Sequence, residues 1–154
     1  NTIRYYETEN NITINRNKNT IVIKLSTIGK NNTIEFYQKL YPIEKKWKNL
    51  IMYKSVHKYW NMYYSNYDTS FKYEIWKVIT EKVDKNIYKS CSKWLHISDK
   101  MWAIRFGNLR SDIALLECEV SPKDIVVPKD CDWQVRTSKL KVIREVPKEE
   151  RYII

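Results

Sequence analysis

The sequence predicts an α+β fold, an antiparallel-dominated β core with one or two short helices. Three observations carry that prediction. Runs of alternating apolar and polar residues recur at "NTIVIKLSTI", "FKYEIWKVI" and "WQVRTSKLKVIREV", and a period of two marks a strand with one buried face. Asn-rich and Pro-containing breaks separate these runs, and no segment repeats at a fixed period. Helical spacing is confined to two short stretches, so strands outnumber helices.

Residues 1–40 read as an N-terminal β-rich extension, with short strands expected in "NITIN", "NTIVIKLSTI" and "NTIEFY". Residues 41–154 read as the main α+β domain. In "EFYQKLYPIEKKWKNL", Pro42 suits the first turn of a short helix ending near Asn49. Strands follow at Leu50–Val56 and Phe71–Ile79, joined by the irregular, aromatic-rich "VHKYWNMYYSNYDTS". Trp94–Ile97 is a short strand, and Ser98 is expected to cap a helix whose one-sided residues are Met101, Trp102, Ile104 and Arg105. Asp112–Val120 reads as a buried strand, and Pro122 and Pro128 bracket a turn and a shorter one. Val135–Val146 is the longest alternating run, and its phase slips near Ser138, where a bulge is expected.

The chain has 154 residues, a length that suits one domain with a real core. It has no apolar run of bilayer length, so no membrane span is expected. It begins at Asn1, which suggests a piece processed or cut from something longer. Net charge is +10, and residues 41–110 hold most of it, with fourteen Lys/Arg against six acids. Such a local excess points to an acidic or polyanionic partner. A lysine-rich solvated surface would look the same. Cys91, Cys118 and Cys131 pair into no framework and match no zinc spacing, so a reducing intracellular setting and no metal are expected.

The segment Leu50–Val146 resembles an uncharacterised domain of large-phage and giant-virus proteins, similar to part of phage rapid-lysis B-type proteins. The residues that carry the resemblance are Tyr53-Lys54, "KYEIWKVI", "CSKWLHISDKMWA", "LECEVSPKDIVVP" and "WQVRTSKLKVIREV". They cover about two thirds of the chain in the family's order. The resemblance implies a viral protein in the host cytoplasm or virion, with a protein partner or larger assembly. It transfers no settled activity. Trp76, Trp94 and Trp133 stand where the family pattern has glycine, in a chain with six Trp and two Gly. Either the core is built from large rings, or the source reads UGA as glycine. Glycine positions would show a positive φ or a bulge.

"KWLHISDKMWA" also has a distant ADP-ribosyltransferase-like look, with His96 at the aromatic position and Ser98 two residues on. That likeness implies NAD as cofactor, Lys54 in place of the first strand's arginine or histidine, and Glu117 or Glu119 as the acid. Lysine lacks the planar fork that grips a diphosphate, so the set is incomplete. A structural His96 bonded to backbone would give the same sequence. A second function class is nucleic-acid binding. Tyr59, Trp60, Tyr63 and Tyr64 could stack bases while Lys54, His57 and Lys58 meet phosphates. Rings plugging a core edge would look alike. The third class is a non-catalytic interaction or structural domain needing no cofactor, and the tail "EVPKEERYII" is suited to docking on a partner.

Overall fold

A computed structural model describes residues 33–66, 70–83, 95–107, 112–128 and 133–151, and the backbone of three strands before them. Those strands are β1 (Ile3–Glu7), β2 (Asn11–Arg16) and β3 (Asn19–Lys24), an antiparallel meander in the order β1-β2-β3. Cys91, Trp94 and Cys131 lie outside the described residues.

The first helix, α1 (Ile34–Leu40), stands where the alternation of "NTIEFY" had suggested a strand. The Thr33 side chain accepts from Phe36 N at 3.2 Å, and Glu35 sits in the first turn, where the helix dipole favours an acid. Ile34, Phe36, Tyr37 and Leu40 are buried in the main core, so α1 packs with the residues after 41. Pro42 follows this helix rather than opening one, and "EKKWKN" turns back as a hairpin instead of a helix. Its strands are β4 (Glu44–Lys46) and β5 (Asn49–Tyr59), with Lys46 opposite Asn49.

β5 is the longest strand among the described residues and runs past the expected end at Val56. It returns as β6 (Met62–Tyr64), with Tyr59 opposite Met62, so the aromatic-rich connection is largely a two-residue hairpin. The expected strand at Phe71–Ile79 is two short strands, β7 (Lys72–Tyr73) and β8 (Val78–Thr80), split by a turn in which Lys77 N donates to Glu74 O. β9 (Leu95–Ile97) leads to α2 (Lys100–Gly107). Asp99, not Ser98, caps that helix: its Oδ1 accepts from Trp102 N at 3.3 Å, while Ser98 is bridged into the sheet opposite Tyr53. β10 (Ile113–Val120), β11 (Ile125–Val126), β12 (Val135–Thr137) and β13 (Lys139–Glu145) complete the described strands. The expected single strand Val135–Val146 with a bulge is instead two strands in different sheets, parted at Ser138, and the register shift of β13 lies opposite Glu117 and Cys118 of β10.

The architecture is the expected α+β fold with an antiparallel core. One sheet has the order β7-β6-β5-β10-β13-β8, with β4 on the early part of β5, and a second has the order β11-β12-β9. The Tyr53–Ser98 bridge joins β9 to β5, and the short break at Ser138 joins β12 to β13. One core therefore lies between the two sheets. It takes Leu50, Met52 and Val56 from β5, Leu116 and Cys118 from β10, Leu95 and Ile97 from β9 and Val135 from β12. Burial of such surface, at about 25 cal/mol per Å² of apolar area, drives the packing. The opposite face of β10 meets α2, where Ala103 and Ile104 pack with Leu115 and Val146. Gly107 is needed there, because a Cβ would stand 2.7 Å from Ile113 Cγ2.

Among the described residues, three non-glycine residues have positive φ, and all are tryptophan: Trp47 at 57°, Trp60 at 57° and Trp76 at 68°. Trp76 is one of the three positions where the resemblance led to an expectation of glycine, and Trp133 shows no positive φ.

Candidate functional site

Alternation along β5 sends Met52, Lys54 and Val56 to the same face, so Lys54 points into the core. It is 8 % exposed, and its Nζ donates to His96 O at 2.9 Å and lies 5.7 Å from the centre of the Tyr73 ring. Burial pulls its ammonium down to about 8. The neighbouring Cys118 thiol is pushed up to about 12, by burial against the partly offsetting charge of Lys54. It is therefore a thiol and not a nucleophilic thiolate at neutral pH.

His96 is the central residue of β9 and lies opposite Arg136 of β12. Both are buried, Arg136 completely. Burial first, then the charges of Lys54 and Arg136, lower the imidazole to about 4, so His96 is neutral at physiological pH. Beside Lys54 and His96 lies a small, partly open cleft, whose other walls include Tyr53, Ser55, Ser98 and Trp133. Trp133 stacks on Trp102 with ring centres 5.6 Å apart.

Lys54 and His96 are thus brought together. The two acids are not with them. Leu116 and Cys118 share the core face of β10 with Lys54, and the same alternation turns Glu117 and Glu119 to the other side of the sheet. Glu117 accepts from Tyr53 OH at 3.3 Å and pairs with Arg144 at 3.4 Å. Glu119 accepts from Asn49 Nδ2 at 3.1 Å and pairs with Lys46 at 3.4 Å. Burial and the adjacent Glu117 push the Tyr53 phenol up to about 12.

The basic and aromatic set is divided in the same way. Lys54 is inside and cannot join a surface. Lys58 pairs with Glu145 at 2.7 Å and lies over the Tyr63 ring, whose hydroxyl donates to the same carboxylate at 2.7 Å. His57 meets Asp112 at 3.2 Å. Lys72 lies over Tyr64. At the hairpin tip Tyr59 and Trp60 are 65 % and 78 % exposed and meet edge to face.

Tyr73 and Arg136 belong to the buried cluster although the sequence did not single them out. Arg136 alternates with Val135 and Thr137, which reads as a residue on a solvent face. Register supplies what alternation could not, because it sets Arg136 against His96. Among the described residues, no group of three His, Cys, Asp or Glu side chains could hold a metal, and no helix is long and apolar enough to cross a membrane. No family model matches the chain, and no curated protein or solved structure matches it either.

Proposed function

We propose that this chain is a non-catalytic interaction domain, of the kind found in large-phage and giant-virus proteins, that docks a predominantly acidic partner surface. One observation carries the proposal. The β10 register directs Glu117 and Glu119 away from Lys54 and His96, and ties both to basic or amide partners on the far face. An ADP-ribosyl transfer needs its acid and its dinucleotide-gripping residues around one cofactor. A buried Lys54 bonded to the His96 carbonyl instead fastens β9 to β5. The acidic partner is argued from the net charge of +10.

Two assays on the purified chain separate the readings. The first is incubation with labelled NAD. The second is chromatography on single-stranded nucleic acid, compared with a cation-exchange matrix. The interaction domain should take no label and should be held no more tightly by nucleic acid than by the plain anionic matrix. NAD-derived label that disappears in His96→Ala would contradict the proposal. So would steeply salt-dependent retention on nucleic acid that is lost in Lys58→Glu and Lys72→Glu, which would favour stacking and phosphate contacts at the β5–β6 hairpin.

A further inference from the structure

We propose that residues 47, 60 and 76 are glycine in the natural polypeptide, their codons being UGA read as glycine rather than tryptophan. The backbone carries the inference. Among the described residues, positive φ outside glycine occurs three times, each time at a tryptophan. Bulky side chains are genuine outliers in that region, because Cβ crowds the adjacent backbone. Chance has no reason to gather all such outliers onto one residue type that occurs six times in 154.

Each position is also the one where its turn requires glycine. Trp47 and Trp60 are the first residues of two-residue hairpin loops, set between Lys46 and Asn49 and between Tyr59 and Met62. In each loop the first residue has positive φ and the second, Lys48 or Asn61, does not. That is the pattern of a type II′ turn, whose first central residue is glycine's place. Trp76 is third in the turn closed by Lys77 N donating to Glu74 O at 3.2 Å. Positive φ at that place defines a type II turn, and glycine is favoured there.

The rings do little to offset the strain. They are 95 %, 78 % and 66 % exposed at Trp47, Trp60 and Trp76. Trp60 meets Tyr59 in a T-shaped pair, and Trp76 lies under Lys141 at 5.1 Å in solvent. Composition agrees, since two glycines in 154 residues is far below the ordinary share of about 7 %. Trp102 and Trp133 differ: their backbones have ordinary φ and their rings stack, so the inference does not extend to them.

The direct test is peptide mapping by mass spectrometry of the protein taken from its native source. Glycine masses at 47, 60 and 76 are expected, and a tryptophan mass at any of the three overturns the proposal. The coding DNA gives the same answer independently, with UGA expected at all three and UGG at any of them contradicting it. A third measurement uses recombinant chains made with the ordinary tryptophan codon. Trp47→Gly, Trp60→Gly and Trp76→Gly should each raise the unfolding midpoint, by relieving a left-handed bulky residue. A fall in midpoint for all three would show that the rings are native.

Discussion

His96 is held neutral by its burial and by two neighbouring cations, and that has a consequence for stability in acid. Its pKa is about 4 folded and 6.5 in the free side chain, so below pH 6.5 the unfolded chain binds a proton that the folded chain refuses. Stability attributable to His96 should therefore fall as pH drops from 6.5 toward 4, by roughly 3 kcal/mol in all, and level off below. Denaturant unfolding of the parent and of His96→Gln across that window measures it, with the variant expected to lack the extra slope. Lys54 acts with the same sign in an alkaline window. Its folded pKa of about 8 lies below the free value of 10.5. Between those two pH values the unfolded chain is protonated and the folded chain is not, so the parent should gain roughly 3 kcal/mol on Lys54→Met as pH rises from 8 to 10.5. An unchanged difference between the two proteins would place the Lys54 ammonium in water. Cys118 should resist thiol reagents in the native state and react only on unfolding, because its thiol is buried and stays protonated.

At the scale of elements, the strands were legible wherever one face is apolar for five residues or more. β13 buries alternate side chains and period two finds it, while β5 and β10 are buried on both faces over much of their length and are found as apolar runs. Among the short elements, β9 and β11 were expected, but α1 and the β5–β6 hairpin were not. Ile34 and Phe36 alternate like a strand, yet Thr33 and Glu35 favour a helix start, and the buried Tyr37 and Leu40 complete a helical face. The β5–β6 hairpin was hidden because Trp60-Asn61 is no turn signal, whereas glycine followed by asparagine is among the strongest. The helix after Ser98 was found with its cap one residue early, since Ser98 is still bridged to Tyr53 in the sheet and its hydroxyl donates to Asp99 O at 2.9 Å. Asp99→Ala should accordingly destabilise the fold by about 1 kcal/mol, and Ser98→Ala should leave the α2 cap bond intact. Equal losses in thermal unfolding would contradict that assignment. Gly107→Ala should be worse than an ordinary helix-end substitution, because the added carbon meets Ile113 Cγ2 at 2.7 Å and Ser55 Oγ at 3.0 Å, and these packed side chains must give way.

For the molecule as a whole, pairing rather than pattern decides what Lys54 and His96 can do. The sequence brought Lys54, His96, Glu117 and Glu119 to notice as one set, and each is on a strand of the same core. Which side of β10 carries the acids depends on the register Leu116 to Lys54, a long-range fact that local alternation does not contain. The chain's tail behaves similarly. Arg151 reaches back to Ile113 O at 3.0 Å, and Arg144 pairs with Glu150 at 2.6 Å, so the charged turn at 148–150 docks on its own domain. Residues 152–154 lie outside the described part. On the proposed reading, Lys54 and His96 fasten β9 to β5 rather than grip a dinucleotide. The most direct measurement is an NMR titration of the His96 ring nitrogens, run with and without NAD. A neutral ring down to about pH 5, with signals indifferent to NAD, is the predicted result. A midpoint near 6.5, or a shift of the His96 resonances that saturates with NAD, would contradict it.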